Sequence, residues 1–180
     1  MMSPRKRAGS ARSTTGITQR CKRPSGRLPN VVGDWHPSNL AWNSTGAGGL
    51  VSGVFDLGLA NRTFAVHDLA VALERSTIDW LDLAERGRVE VDFDVVDALL
   101  DGYEELRPLG GPEASARGPL LPVAHIEYAL SEVAYFAAVV GSDTNADLAY
   151  DDYSVGHTRW FEGPLGSALL DHLRRRADRG

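Results

Sequence analysis

The stretch VVGDWHPSNLAWN, Val31–Asn43, decides how the rest of the chain is interpreted. It places Asp34, His36 and Asn39 within a few residues of one another and then continues into Leu40–Trp42, which has the apolar character of a short strand. Polar side chains directly beside an apolar segment are typical of a functional loop held at the edge of a core. The residues on either side indicate what such a loop would do.

A second strand-like segment follows a glycine-rich turn. Leu50–Phe55 is largely apolar, and the sequence STGAGG, Ser44–Gly49, separates it from the first segment with residues that favour a turn. We expect the two segments to form an antiparallel β-hairpin. Such a hairpin would bring Asn39, before its first strand, to the same end as Asp56, after its second strand.

Helical patterns dominate the chain after this hairpin. Apolar residues at helical spacing predict helices over 67–86, after a cap at Asp92 with the stripe Val96, Leu99, Leu100, Tyr103 and Leu106, over 120–140, from Ser142 or Asp143, and over 163–180. The Gly- and Pro-rich segment Pro108–Pro119 is expected to be a loop. The predicted fold class is therefore mostly α with a small β-hairpin.

The first 30 residues differ from the remainder in charge. They hold eight of the nineteen Lys and Arg residues and no Asp or Glu, whereas residues 31–180 hold 11 basic and 24 acidic residues. A segment so polar and so poor in large apolar residues is expected to be disordered. A transit peptide, a weak nucleic-acid contact and a head unrelated to the body are all open alternatives for it. The acidic body itself would repel nucleic-acid phosphates, so a nucleic-acid partner is not expected.

Cysteine content and hydropathy indicate the setting of the protein. Cys21 is the only cysteine, which excludes an internal disulfide and a cysteine-based metal site. No unbroken apolar run approaches the roughly 18–20 residues of a membrane span. A cytoplasmic protein without a membrane partner is therefore expected.

Three motifs resemble those of one enzyme superfamily. The sequence VGDWHPSN, 32–39, is similar to the His-Gly-Asp-x-His-Pro-x-Asn signature of the aminoglycoside phosphotransferase, choline kinase and type II homoserine kinase superfamily. Asp56-Leu57-Gly58 resembles the Asp-Phe-Gly motif of the protein-kinase-like fold, and HDLAVAL places Asp68 where family members carry an Asp-Leu-Ala. Three motifs in this order within about 40 residues form a specific signal, and the resemblance covers 31–176.

The resemblance implies ATP-dependent transfer of a phosphoryl group to a hydroxyl of a small metabolite or an amino sugar. Asp34 would act as the base, and Asn39 and Asp56 would hold Mg²⁺, because phosphoryl transfer needs an oriented hydroxyl and neutralised phosphate charge. Magnesium prefers a few oxygen ligands of this kind. His36 and Asp68 would contact the substrate or support the loop.

Two departures from the family pattern bear on activity. Val32 replaces the His that opens the family signature and cannot make that residue's bracing hydrogen bonds. The family also places a nucleotide-binding N-terminal lobe before the catalytic loop, whereas 30 residues precede Val31 here. We therefore expect the chain to comprise residues 1–30 as a head and residues 31–180 as the C-terminal lobe of the protein-kinase-like fold. The alternative function is a catalytically silent remnant or interaction module, and a partner chain could supply a complementing lobe.

Other polar and aromatic residues receive structural interpretations. His125, Tyr128 and Tyr135 lie in an apolar helical segment and are expected in the core. An acidic set could attract a cationic substrate, but its helical spacing favours a solvated face; it comprises Asp143, Asp147, Asp151 and Asp152.

Overall fold

A small β part precedes a larger helical body, which confirms the predicted mostly α fold with a β-hairpin. The computed structural model describes residues 28–44, 49–80, 83 and 89–179. Three predictions therefore fall wholly or partly outside the described residues: most of the basic head, the middle of the hairpin turn, and the end of the predicted 67–86 helix.

Two antiparallel strand pairs frame the loop that carries the first motif. Strands β2 (Leu40–Trp42) and β3 (Val51–Val54) form the predicted hairpin, with Leu40 opposite Val54 and a register shift after Ala41. Strands β1 (Asn30–Val31) and β4 (Asn61–Arg62) form a second pair that the sequence did not predict. The loop 32–39 and the segment 55–60 each connect one pair to the other, so the pairs hold them side by side.

The helical body follows β4. Its helices are α1 (Ala65–Thr77), α2 (Phe93–Leu106), α3 (Gly111–Ala134), α4 (Asp143–Leu148), α5 (Thr158–Glu162) and α6 (Pro164–Ala177), with π-helical segments at Tyr135–Val140 and Ala149–His157. Two predicted caps are confirmed: the Asp92 carboxylate accepts the N–H groups of Asp94 and Val95, and the Ser142 hydroxyl accepts that of Asn145.

The predicted loop over Pro108–Pro119 is wrong, because α3 begins at Gly111 and continues through Pro119. Pro112 lies in the first turn, where its missing N–H costs nothing. Farther along α3, buried Arg117 is anchored by a 2.6 Å ion pair to Glu104 of α2. Tertiary packing therefore supports a helix that composition did not suggest.

Two further details differ from the predicted helices. Helix α1 ends at Thr77, and Ile78 is extended and forms an isolated β-bridge with Val91. Leu106, the last member of the predicted apolar stripe of α2, is 88% exposed because the helix ends there. The earlier stripe members Val96 and Leu100 are fully buried.

The core forms around α1. Helix α1 packs most extensively against α3 and also contacts α2. Six leucine side chains from four helices are almost fully buried, namely Leu69, Leu73, Leu100, Leu121, Leu169 and Leu173. Helix α1 follows β4, and β4 pairs with β1, the strand directly before the loop 32–39. This central helix therefore helps to position that loop.

One helical stretch is long and apolar enough to cross a membrane by length and composition. It is Gly111–Val140, with a mean hydropathy of 1.3 in the qualifying window, of which 17% is buried. The expectation from the sequence concerned an unbroken apolar run, whereas this stretch qualifies by its average hydropathy over a helix, so the expectation of no membrane partner stays a prediction. The same stretch contacts α1, α6 and the 149–157 segment.

Candidate active site

Asp34 and Asn39 lie side by side in the loop between β1 and β2. The Asn39 amide donates hydrogen bonds to the Asp34 backbone oxygen at 3.1 Å and to its Oδ2 at 3.0 Å. A short 3-10 turn, Pro37–Asn39, forms directly before β2 and fixes Asn39 there. The other carboxylate oxygen of Asp34, Oδ1, is buried and has no hydrogen-bond partner among the described residues. Asp34 thus keeps one acceptor oxygen available.

Asp68 supports this loop from α1. Its carboxylate accepts the backbone N–H groups of Val32 and Gly33 at 2.9 and 2.8 Å, and the indole N–H of Trp35 at 2.8 Å. Helix α1 has Phe64 as its N-cap residue, so Asp68 does not serve as the cap. One carboxylate thus accepts three hydrogen bonds from the start of the loop, two from backbone N–H groups and one from a side chain. One of the backbone donors is Val32, the residue that replaces the family His.

Asp56 follows the hairpin at the end where Asn39 precedes it. The Phe55 N–H donates to the Asn39 carbonyl at 3.1 Å, which places Asp56 one residue beyond that link. Asp56 has a φ of 56°, a left-handed conformation that is uncommon outside glycine. Its side chain is exposed and accepts a long 3.4 Å hydrogen bond from the Gly58 N–H. An unusual backbone at a polar, exposed residue is a feature of functional sites.

The oxygens of Asn39 and Asp56 suit a magnesium ion. The side-chain nitrogen of Asn39 donates to Asp34, so the Oδ1 atom of Asn39 is turned away from Asp34. No hydrogen bond to this oxygen is present among the described residues. Carboxylate and amide oxygens are the ligands that Mg²⁺ takes, with waters and phosphate oxygens completing its shell. No group of three or more His, Cys, Asp or Glu side chains among the described residues is placed to hold a metal ion, so a metal here would need such additional ligands.

His36 and Arg75 flank Asp34. The Nδ1 atom of His36 lies 2.6 Å from the Ser38 hydroxyl, and burial followed by the charge of Arg75 lowers the pKa of His36, against the opposing charges of Asp34 and Glu74. Arg75, on α1, has its Nη2 3.9 Å from Asp34 Oδ1. Its guanidinium carbon lies 4.1 Å from the ring centroid of Tyr128 on α3.

A cavity of about 610 Å³ opens beside His36 and Arg75. Its volume is in the range of small-molecule sites. Acidic and aromatic side chains line it, namely Glu74, Asp79, Glu90, Asp92, Glu132, Trp80, Tyr128 and Tyr153, together with His125 and His157. Arg75 is the one Lys or Arg among the described residues that line it. The charged side chains of the wall are therefore carboxylates, except for Arg75, which lies beside Asp34.

A buried polar cluster forms one wall of this cavity. Glu74 Oε1 lies 2.8 Å from His125 Nδ1 and also accepts the indole N–H of Trp80, while His125 Nε2 lies 2.9 Å from the Tyr153 carbonyl oxygen. Both ring nitrogens of His125 therefore face oxygen atoms, one of a carboxylate and one of a backbone carbonyl. The cluster thus connects α1, α3 and the 149–157 segment.

His157 stacks on this cluster. The ring centroids of His157 and Trp80 are 4.2 Å apart, and the two ring planes make an angle of 8°. Burial and then the charge of His125 lower the pKa of His157 from 6.5 to about 4, so the ring is neutral near pH 7. Its Nδ1 atom is buried and has no partner among the described residues.

The structure brings together most of the site residues proposed from sequence and adds others. Asp34, His36, Asn39 and Asp68 share one loop environment, and Asp56 lies beyond the adjacent hairpin end. The acidic set at 143–152 is exposed and lines none of the cavity, as expected for a solvated face, whereas Tyr135, expected in the core, is 54% exposed. Sequence reasoning missed Arg75, Glu74 and His157, since only tertiary contacts join these residues to the site.

Comparison with known proteins agrees with the motifs. The family model for the phosphotransferase enzyme family (APH) matches residues 21–109, which include the loop 32–39, the hairpin, Asp56, α1 and α2. No curated protein and no solved structure matches the chain. The match supports the assignment to the aminoglycoside phosphotransferase and protein-kinase-like superfamily that the motifs predicted.

Proposed function

We propose that this chain, a phosphotransferase-family protein over residues 21–109, transfers the γ-phosphoryl group of ATP to a hydroxyl of a small molecule held in the 610 Å³ cavity. The observation that carries the proposal is the Asp34–Asn39 pair: one Asp34 oxygen accepts a hydrogen bond from Asn39, and the other is buried without a hydrogen-bond partner among the described residues, 3.9 Å from Arg75 Nη2.

Asp34 is assigned as the base. Its free Oδ1 can accept a hydrogen bond from an acceptor hydroxyl, while the Asn39 amide fixes the orientation of the carboxylate. As the acceptor oxygen bonds to the γ-phosphorus, the bond from that phosphorus to the β–γ bridging oxygen breaks, and Asp34 takes the hydroxyl proton. Asp68 keeps Asp34 in place through its hydrogen bonds to the preceding backbone.

Asn39 and Asp56 are assigned as the metal ligands. Asn39 Oδ1 and the Asp56 carboxylate would supply the protein oxygens, and Asp56 lies one residue beyond the Phe55 N–H that donates to the Asn39 carbonyl. A bound Mg²⁺ would neutralise nucleotide phosphate charge during transfer. The exposure of Asp56 leaves room for the nucleotide on its open side.

The cavity favours an acceptor that carries a cation as well as a hydroxyl. Several carboxylates line it, and an ammonium about 4 Å from one of them gains on the order of 4 kcal/mol at an effective dielectric constant near 20. The aromatic rings of Trp80, Tyr128 and Tyr153 provide apolar and cation–π surface. An amino sugar or an amino alcohol combines these features.

A second candidate function is an interaction module that docks a complementing nucleotide-binding lobe. The observation in its favour is the exposed apolar surface of the hairpin region, where Trp42, Leu50, Val51, Val54, Phe55 and Leu57 are between 43% and 67% exposed. Exposed apolar patches of this kind mark interaction sites. In this case the chain alone would not bind nucleotide.

Calorimetry with Mg-ATP tests both candidates. We expect binding by the full chain, loss of binding in Asp56→Ala, and unchanged binding in Asp147→Ala, which removes an exposed carboxylate far from the loop. No binding at millimolar Mg-ATP would reject the proposed transferase activity of the isolated chain and favour the module.

Transfer is then measured with an amino sugar, an amino alcohol and an uncharged polyol. We expect transfer to the first two classes and loss of at least about 100-fold in Asp34→Asn, because general-base catalysis contributes roughly 10²–10⁴-fold. Unchanged turnover in Asp34→Asn would contradict its assignment as the base.

A further inference from the structure

Arg75 occupies the boundary between the catalytic loop and the cavity. Its side chain is 17% exposed, its Nη2 lies 3.9 Å from Asp34 Oδ1, and it lines the cavity. At 3.9 Å the two groups attract each other but do not form a hydrogen bond. The guanidinium donors that face Asp34 are therefore not committed to it.

The charges around the point of transfer require a cation. Asp34 and the incoming phosphoryl group are both negative, as are the carboxylates of the cavity wall. His36, the nearest basic residue of the loop itself, is engaged with Ser38 and has a pKa held below its usual value. Arg75 is thus the residue that supplies positive charge beside Asp34 among the described cavity residues.

Arg75 is also held in position and kept charged. The Tyr128 ring lies under its guanidinium at 4.1 Å, a cation–π geometry. Burial alone would lower the pKa of Arg75, but the neighbouring Tyr128 side chain and the charges of Glu74 and Asp34 more than offset it, and the pKa lies above its usual value. A planar, fixed guanidinium is suited to phosphate oxygens, which it can bind through two N–H groups.

We propose that Arg75 binds the transferring phosphoryl group on the cavity side of Asp34, and that Tyr128 holds its guanidinium for this contact. The proposal rests on the proposed phosphotransferase function and adds a catalytic residue to it. An acceptor hydroxyl that donates to Asp34 Oδ1 would lie beside Arg75, because Arg75 Nη2 is 3.9 Å from the same carboxylate oxygen, and oxygens of a phosphoryl group transferred to that hydroxyl would then be near the guanidinium.

In the transfer step, Arg75 donates N–H groups to oxygens of the γ-phosphoryl group. The acceptor oxygen forms its bond to the γ-phosphorus, the bond to the β–γ bridging oxygen breaks with its electron pair leaving on ADP, and the hydroxyl proton moves to Asp34. Arg75 itself neither gains nor loses a proton. Its contribution is to stabilise charge on the transferred group.

The test measures the affinity of wild type and of Arg75→Met for Mg-ADP alone and for Mg-ADP with fluoroaluminate. Fluoroaluminate mimics the phosphoryl group in the transition state of transfer. We expect Mg-ADP affinity to stay within about threefold of wild type, whereas the gain in affinity on adding fluoroaluminate falls by roughly 100-fold, the effect of removing one charge-stabilising donor. Arg75→Lys should retain part of that gain, because it keeps the positive charge but loses the planar pair of N–H groups that can bind two phosphate oxygens.

Arg107→Met is the matched control. Arg107 also lies over a tyrosine ring, Tyr103, at 6.0 Å and pairs with a carboxylate, Glu113, at 2.7 Å, but it does not line the 610 Å³ cavity. Its substitution should leave the fluoroaluminate gain unchanged. Circular dichroism and thermal melts of each variant verify folding.

The outcomes separate the two proposals. If wild type binds no Mg-ATP, the phosphotransferase function of the isolated chain fails, and the role of Arg75 fails with it. If wild type binds and transfers while Arg75→Met keeps the full fluoroaluminate gain, the role of Arg75 alone is overturned. Equal loss of Mg-ADP and fluoroaluminate binding in Arg75→Met would assign it a structural role and also overturn the inference.

Discussion

Gly33 shows how one residue fixes the catalytic loop. Its φ is +82°, its N–H donates to Asp68 at 2.8 Å, and a Cβ at this position would collide with the Leu59 carbonyl oxygen just after the Asp-Leu-Gly motif. A left-handed conformation alone costs an L-residue about 1–2 kcal/mol. Glycine is therefore required where the two motif-bearing segments approach each other.

We predict that Gly33→Ala lowers the free energy of unfolding by at least about 2 kcal/mol, from backbone strain and the displaced Leu59 carbonyl. Urea unfolding measures the change. Gly102→Ala in α2 is the control, because a Cβ there meets nothing within 4 Å and a helical alanine gains up to about 1 kcal/mol. A Gly33→Ala protein as stable as wild type would show that the loop does not pack on Leu59 as described.

The residues that sequence reasoning found differ from those it missed in how they reach the site. Asp34, Asn39 and Asp56 belong to motifs whose spacing is local, and a hairpin suffices to bring the last two to one end. Arg75 meets Tyr128 across the α1–α3 interface, which no spacing in the chain encodes. Its role depends on the rotation of α1 in the core, and that is set by packing.

At the scale of elements, α1 is both the central core helix and the support of the loop. Its inner face buries Leu69 and Leu73, while Asp68 in its first turn accepts three hydrogen bonds from the loop. Core packing is thereby transmitted to the position of Asp34. Removing the carboxylate should disturb the site more than the core.

We predict that Asp68→Asn weakens Mg-ATP binding at least tenfold and lowers stability by about 1–3 kcal/mol, because an amide nitrogen would face an N–H donor of the loop. Calorimetry and urea unfolding report the two effects. Asp94→Asn is matched to it, since Asp94 is also in the first turn of a helix but is exposed and does not contact the loop. Equal effects of the two substitutions would contradict the supporting role of Asp68.

Helix α3 shows why composition failed for one element. Gly and Pro over Pro108–Pro119 favour a loop locally, yet a buried Arg117 links α3 to Glu104 of α2 and, at 3.4 Å, to the Leu173 carbonyl of α6. A proline in the first turn is compatible with a helix. The element boundary is thus determined by contacts to two other helices, which sequence periodicity does not contain.

At the scale of the whole molecule, the buried cluster at the cavity joins segments that are distant in the chain. Glu74 of α1, His125 of α3 and the Tyr153 carbonyl form one chain of hydrogen bonds, and His157 stacks on Trp80 beside it. No motif or periodicity in the sequence distinguishes His157. Its environment nevertheless makes it a reporter of global folding, because the unfolded chain has none of these contacts.

The lowered pKa of His157 predicts a pH dependence of stability. The folded ring has a pKa of about 4 and the unfolded ring about 6.5, so between these values the unfolded state binds a proton that the folded state does not. Stability from this residue is therefore fully present above pH 6.5 and is lost as pH falls toward 4. At 1.36 kcal/mol per pKa unit, the loss reaches about 3 kcal/mol.

His157→Phe keeps an aromatic ring on Trp80 but cannot titrate. Urea unfolding of both proteins at pH 7.5, 6 and 5 should show wild type losing stability faster than His157→Phe as the pH falls. The difference between the two curves reports the titration of His157 together with its charge interaction with His125, which the substitution also removes. Parallel curves would mean that the folded ring accepts a proton as readily as the unfolded one, and that the aromatic cluster does not exclude the charged form.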